Sequence, residues 1–323
     1  MNNNFKKAFS LIEISMVILV IGILIAGISK GIDMVYDMRL ATARALTDKA
    51  PMFGMENLEL WLETTSENSL ATGTGTSFTN VANPPDKKEI GRWNDLNPTL
   101  INPNNKNHAV QGTLNYQPLY IQDGINNLPA LLFDGVDDYI ASTTKFTIIN
   151  NFTVFVVGFP IKNLTNPCVM QSGSVAGVSG QKYIFYPQQG DVVYGGNNAS
   201  GSGVSLCESF IASVEHWNGN MPYVVSNNRA INKPIQFTLK YSSGAPKLYI
   251  NSTDYYSGSA SARNIFPGLT FGGGRPSIST NYGEHYGYFK GFIGEIIVYS
   301  KDLNDADRKL IEAYLIEKWR IRS

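Results

Sequence analysis

One carboxylate stands where carboxylates are costly. In the run from Phe9 to Ile28, FSLIEISMVILVIGILIAGI, Glu13 is the only charged side chain. An acid in a bilayer costs at least ~2.5 kcal/mol, so it is kept where a partner gains from it. Asp134, Asp137 and Asp138 form a close-set group of oxygen donors. Such a group suits a hard cation such as Ca²⁺, and it equally suits a turn whose acids accept bonds from their own backbone. Cys168 and Cys207 are the only cysteines, too few and too far apart for a zinc cluster. They suffice for one disulfide in an oxidising compartment, or they are two separate core thiols.

Catalytic constellations are sparse. A glycan hydrolase of the ExDxxE type needs two carboxylates close together, one as nucleophile and one as acid/base. The nearest strand, Gly294-Glu295-Ile296-Ile297-Val298-Tyr299, offers only Glu295. A second acid beside Glu295 in space would reopen that chemistry. His108, His216 and His285 are far apart and sit in no HExxH or GxSxG setting, so no enzyme is expected. Trp217, Tyr255, Tyr256 and Tyr282 could stack on sugar rings from loops, or pack in the core.

Composition narrows the function classes. Lysine plus arginine (26) equals aspartate plus glutamate (26), so no bulk field draws the chain toward nucleic acid. In 323 residues the charged fraction is only 16% against 43% hydrophobic. With its many Gly, Asn, Ser, Thr and aromatic residues, this balance fits a β-sheet protein with long polar loops outside the cytoplasm.

The elements that must carry these residues begin with a helix. Phe9–Ile28 is long enough to cross about 30 Å of hydrocarbon. Lys6 and Lys7 should stay cytoplasmic and send the rest outward. Ile28, Ile32, Val35 and Met38 recur at helical spacing, Ala41, Ala43 and Ala45 favour helix, and Pro51 stops it. Gly27 and Gly31 are spaced GxxxG, with Gly22 and Ala26 repeating the theme, which permits close helix contact.

The segment KAFSLIEISMVILVIGIL resembles the class III leader and first helix of type IV pilins and type II secretion pseudopilins. The resemblance implies that a prepilin peptidase cuts between Ala8 and Phe9 and methylates Phe9. It also implies that Glu13, at the fifth mature position, neutralises a neighbouring subunit's amino terminus. Ala8 replaces the family's usual Gly, and Lys30 stands where major pilins have a helix-bending Pro.

From Leu58 onward, short β-type runs alternate with turn clusters: Leu131 to Phe133, Phe152 to Phe159, Tyr183 to Tyr186, Tyr223 to Ser226, Ile235 to Tyr241, Lys247 to Ile250 and Phe292 to Tyr299. They predict a β-sandwich. Phe133-Asp134-Gly135 reads as a hairpin-like turn before Tyr139. A helix over Asp305–Trp319, capped by Asn304, should turn Ala306, Leu310, Ile311, Tyr314, Leu315 and Trp319 onto the sandwich.

The segments LELWLET, GRWNDL, LPALLFDGVDDYI, FTVFVVGF, PKLYINSTD, FKGFIGEIIVYSKDLND and IEAYLIEKW resemble the concanavalin A-like, laminin-G-like jelly-roll domains of bacterial surface proteins. The expected class is mainly β: a long N-terminal helix, a jelly-roll β-sandwich and a short C-terminal helix. The expected organisation is a leader at 1–8, a membrane and assembly helix at 9–50, a linker at 51–56 and the sandwich at 57–323.

The two resemblances together imply a minor pilin or pseudopilin-like surface protein that displays a lectin-like domain for adhesion, with a glycan or protein ligand. Its partners would be the prepilin peptidase, other pilin subunits and the inner membrane, with no nucleic acid. It would cross the inner membrane once, with the large domain periplasmic, or extracellular once assembled. The alternatives are a structural tip of a secretion pseudopilus and an anchored glycan-processing enzyme. No cofactor beyond Ca²⁺ is suggested.

Overall fold

The computed structural model describes residues 11–142, 149–162, 183–186, 199–207, 211–215, 225–226, 231, 233–273 and 287–322. The chain divides into two compact units, Met1–Thr42 and Ala43–Ser323.

The described part of the first unit is helical. Helix α1, Leu11–Thr47, has 37 residues and carries its last turn into the second unit. Its most apolar window has a mean hydropathy of 2.8 and none of it is buried, so the helix is long and apolar enough to cross a membrane. Leu11, Ile12, Val17, Ile18, Leu24 and Ile28 all lie open to the surroundings. The helix ends as expected. Ala50, the residue before Pro51, is extended at φ −61° and ψ 144°, because the proline ring excludes α geometry there.

The second unit is mainly β. One sheet runs in the order Asp254–Ser257, Ala245–Ile250, Ile235–Ser242, Phe152–Pro160, Lys290–Tyr299, Leu128–Asp134, Leu119–Ile125, Lys88–Glu89. Lys290–Tyr299 is shared lengthwise along one edge. Its first half pairs with Leu128–Asp134 and its second half with Leu58–Glu63, all antiparallel. The opposing sheet is built around Ala199–Leu206, Tyr183–Tyr186, Thr270–Phe271, Ile140–Ser142, Ala109–Val110, Arg92–Trp93 and Leu70–Thr74. The two sheets make the expected jelly-roll sandwich.

Phe152–Pro160 and Lys290–Tyr299 read as continuous apolar runs because their sheet is covered on both faces. Val154, Val156, Ile296 and Val298 turn inward with Trp93, Ile140, Phe185 and Phe271 of the opposing sheet. The alternating residues Phe155, Val157, Ile297 and Tyr299 turn outward. There they pack under helix α2, Asp305–Trp319, against Ile311, Leu315 and Trp319. Each such side chain, fully buried, contributes about 1.5–3 kcal/mol. Ala43, Ala50 and Met52 join the same outer cluster.

Two sequence expectations need correction. The Asp134 turn is not a hairpin, because Leu128–Asp134 belongs to the first sheet and Ile140–Ser142 to the second. It is an arch that carries the chain across the sandwich, with Gly135 at φ 80° making the bend. Helix α2 buries Ile311, Tyr314, Leu315 and Trp319 as expected, but not every apolar residue expected there. Ala306 is exposed and Leu310 is 54% exposed, while Arg308, Glu312 and Lys318 are buried. The helix docks with charged groups because the sheet beneath it offers carboxylates and hydroxyls.

Candidate functional site

The arch from Asp134 to Asp138 is the place where polar groups converge at the rim of the sandwich. The Val136 and Asp137 amides donate to Asp134 Oδ1 at 2.7 and 3.3 Å. The Asp134 amide donates to Asp138 Oδ2 at 2.9 Å. One oxygen from each of two acids therefore shapes the turn. The three side chains bring ligand oxygens within 4.8 Å of one another. Burial pushes the Asp138 carboxyl up to about 7, helped by Asp134 and Asp137 and opposed by the Asp134 amide. Asp137 is raised by burial and by Asp134. The group is both a backbone-capped turn and a set of crowded carboxylates whose remaining oxygens could take a divalent cation.

Tyr139 follows directly on this arch and meets Tyr116, their ring centroids 5.9 Å apart and tilted by 33°. The Tyr139 amide donates to the Tyr116 carbonyl at 3.1 Å, and Gln111 Nε2 donates to the Tyr139 carbonyl at 3.1 Å. Gln117 Nε2 ties the neighbouring loop to the carbonyls of Gly73 and Gln111. Leu114, in the same short turn as Tyr116, is 51% exposed, and Val136, in the arch, is 67% exposed. The rim thus combines two half-buried aromatic faces, exposed apolar side chains and carboxylates. These are the group types that hold a sugar by stacking and by hydrogen bonds to its hydroxyls.

The tyrosine pair was not legible in the sequence. Adjacency of Tyr139 to Asp138 was a signal for one ring, but Tyr116 arrives through long-range folding. The aromatic residues favoured in the sequence do not form a platform among the described residues. Tyr255 and Tyr256 belong to the strand Asp254–Ser257 rather than to a loop, and Tyr256 packs against the core. Trp217 and Tyr282 lie outside the described residues, as do His216 and His285.

Glu295 does have an acid beside it. Glu63 is its register partner on the adjacent strand, and both are fully buried. Lys318 Nζ lies 2.9 Å from Glu63 Oε2 and 2.9 Å from Glu295 Oε2. Trp61 Nε1 and the Tyr314 hydroxyl donate to Glu295 Oε1 at 2.8 and 2.9 Å, and Trp319 Nε1 donates to Oε2 at 2.7 Å. The indole of Trp319 lies on Gly294, where a Cβ would come within 2.5 Å of the ring. This carboxylate pair is closed to substrate and occupied by an ammonium, so it docks a helix.

His108 accepts the Asp95 amide through Nδ1 at 3.0 Å. Burial, with Arg92 and Lys106 nearby, pushes it down to about 4. It is neutral near pH 7 and has a structural partner.

Glu13 is exposed on the first described turn of helix α1. Ala8 and Phe9, its expected processing and assembly companions, lie outside the described residues. Cys207 is buried behind the strand Ala199–Leu206, with its Sγ 3.9 Å from Ser205 Oγ. Cys168 lies outside the described residues.

No family model matches the chain, and no curated protein matches it. Solved structures do. The binding domain of botulinum neurotoxin DC in complex with SialylT is 11% identical, with a TM-score of 0.41, over 80% of this chain and 52% of that one. An arabinofuranosidase complexed with arabinofuranosyl-alpha-1,2-xylobiose is 10% identical, with a TM-score of 0.48, over 83% and 64%. Domain 4 of AbnA, an extracellular arabinanase from Geobacillus stearothermophilus in complex with arabinotriose, is 15% identical, with a TM-score of 0.37, over 71% and 98%. The chain spans about half the length of the neurotoxin binding domain it matches. At these identities and scores no ligand or activity carries over.

Proposed function

We propose that this chain is a minor pilin or pseudopilin-like surface protein in which a membrane and assembly helix displays a β-sandwich for adhesion. The observation that carries the reading is the helix. Its apolar surface lies open from Leu11 to Ile28 and it leads straight into a large β unit. Residues 1–8 are the leader, 9–50 the helix, 51–56 the linker and 57–323 the displayed sandwich. Lys6 and Lys7 keep the amino terminus cytoplasmic, and the sandwich faces the periplasm or, once assembled, the exterior. The prepilin peptidase cuts before Phe9, and Glu13 registers the helix against the next subunit.

The sandwich acts as a binding module rather than an enzyme. Closure of the Glu63 and Glu295 pair supports this, and so does the rim of Tyr116, Tyr139, Leu114, Val136 and the arch acids. Its ligand is a glycan stacked on the tyrosine pair, with Asp134 and Asp137 accepting from its hydroxyls. Mass spectrometry of the mature amino terminus tests the first half: a chain beginning at methylated Phe9 is expected, and an intact Met1 or a cut beyond Ile28 would remove the pilin reading. A glycan array probed with the sandwich, with and without Tyr139→Ala, tests the second. Binding lost in the variant is expected, and equal binding would displace the rim as the site.

A further inference from the structure

The last turn of helix α1 is tied to the β unit by side chains before the chain reaches its first strand. Arg44 Nε donates to the Thr65 carbonyl at 2.8 Å, Nη1 lies 3.0 Å from Glu67 Oε1, and Nη2 donates to Asn83 Oδ1 at 2.6 Å. Ala43, the preceding residue, is buried in the cluster that holds Tyr314 and Trp319 of helix α2. Thr65 stands just past the far end of the strand Leu58–Glu63. The chain therefore leaves helix α1, travels to Leu58 and returns along the strand to the place it left.

From Thr65 the contacts continue inward. The Thr65 amide and hydroxyl donate to Glu63 Oε2 at 2.7 and 2.5 Å. Glu63 and Glu295 share Lys318, and Glu295 lies on Lys290–Tyr299, which is paired along its length with Phe152–Pro160. A continuous line of polar contacts runs from Arg44 to an inner strand of the first sheet.

We propose that Arg44 and the Lys318 centre form a tension clamp, which passes load on helix α1 into that inner strand without peeling the first strand away. The inference rests on helix α1 being the tether of a displayed adhesion domain, where load enters through the tether and leaves through the bound ligand. Among the described residues, Leu58–Glu63 is paired in its sheet with Lys290–Tyr299 alone. Pulled from Leu58, its cross-strand bonds break one after another, each carrying the load by itself. Pulled through Arg44, the load arrives at the Glu63 end, where Lys318 joins both strands to helix α2 and several charged contacts must fail together. The clamp acts on the rate of forced unfolding. A partly exposed ion pair such as Arg44 with Glu67 adds little to equilibrium stability.

The test is force spectroscopy of the purified full chain in detergent, with one handle on Asp37→Cys and the other on Val136→Cys. Arg44→Ala should lower the force of the first rupture and lengthen its release by residues 45–64, up to roughly 70 Å. Moving the first handle to Arg322→Cys takes Arg44 out of the load path, and there Arg44→Ala should rupture at the wild-type force. Equal forces for Arg44→Ala and wild type when pulled through helix α1 overturn the clamp, because no load then passes Arg44. An equal drop in both pulling geometries also overturns it, because the substitution has then weakened the fold in general. The measurement needs no filament, so a chain left uncut before Phe9 removes the pilin reading and leaves the clamp standing.

Discussion

Glu63 and Glu295 are register partners on neighbouring antiparallel strands, and each places an oxygen 2.9 Å from the same buried ammonium, Lys318 Nζ. Both strands were laid down far apart in sequence, and helix α2 is the last element of the chain. Three charges thus fix a late element to a central strand. Burial penalises all of them, but the mutual attraction and the indole, hydroxyl and amide donors outweigh that penalty. The Glu63 carboxyl is pushed up by burial and held at about 2 by Lys318 with bonds from Ser66 and Thr65. Lys318 is lowered by burial and raised further by Glu295 and Glu63, ending above its ordinary value.

Removing the cation should therefore cost far more than removing a surface one. Lys318→Met leaves two buried carboxylates facing each other, and loss of one partner of a buried pair costs about 3–5 kcal/mol. Lys309→Met on the exposed face of the same helix should stay within about 0.5 kcal/mol. Urea denaturation of the two variants checks this. Equal midpoints would mean that the buried charges do not hold the helix.

His108 and Glu63 each lose their contribution to stability in acid, in two successive windows. Between about 6.5 and about 4 the unfolded chain protonates its histidine while His108 stays neutral in the fold. The unfolded state then binds more protons, so stability falls as the pH falls. Glu63 adds a second loss between about 4.5 and about 2, with the same sign. Because Asp138 acts in the opposite sense over the upper window, the His108 contribution is read as the difference in thermal melting between wild type and His108→Gln from pH 8 to pH 3, a difference that should shrink as the pH falls from about 6.5 to about 4.

The Asp138 carboxyl carries the opposite sign. Its value is raised from 3.8 to about 7, so the folded chain binds the extra proton and loses stability as pH climbs through that window. In the presence of a chelator, Asp138→Asn should raise the melting temperature at pH 8 and leave it nearly unchanged at pH 3.5. Calcium added at pH 8 should stabilise the wild type if the arch takes a cation, and that gain should vanish in Asp138→Asn. A melting temperature indifferent to calcium leaves the acids as turn caps.

The sandwich was legible because Phe152–Pro160 and Lys290–Tyr299 are long, apolar and β-branched, and helix α2 because Asn304 caps it, accepting the Asp307 amide at 2.9 Å. The short strands Arg92–Trp93, Ala109–Val110 and Thr270–Phe271 have two residues each, too few for any periodicity to show. Leu70–Thr74 and Ala199–Leu206 are rich in Gly, Ser and Thr, which read as loop. On helix α2 only Ala306 and Leu310 were misplaced, because apolar type was taken as the sign of burial, whereas the charged Arg308 is buried, reaching Glu312 and lying 3.8 Å above the Tyr249 ring. The rim escaped for a plainer reason. Tyr116 and Tyr139 meet only once the arch has crossed between sheets.

Cys168 and Cys207 should be joined in the exported protein. Cys207 is buried and is not a free thiol, and an oxidising compartment favours pairing. Peptide mapping without reductant should recover the two cysteines in one linked species. Two alkylated free cysteines from protein denatured without reductant would show instead that they are separate core thiols.

Glu13 is the sharpest test of the whole arrangement, because it is the one charged side chain in the apolar run from Phe9 to Ile28. Helix α1 is apolar enough to insert without it, so Glu13→Val should insert at least as well as the wild type, a central acid costing at least ~2.5 kcal/mol on insertion scales. Cleavage before Phe9 should also persist, since the substituted residue lies after the scissile bond and outside the Lys6-Lys7-Ala8 leader. Under the proposed assembly the variant would lose its partner across the interface, the amino group of Phe9 on an adjacent copy, whose attraction is strong at low dielectric. Glu13→Val chains should therefore accumulate in the membrane, correctly processed, and be missing from sheared filaments. Glu13→Asp, which keeps the charge on a shorter arm, should restore part of the incorporation. Wild-type incorporation of Glu13→Val would leave the helix a simple anchor and confine its function to holding the sandwich at the membrane.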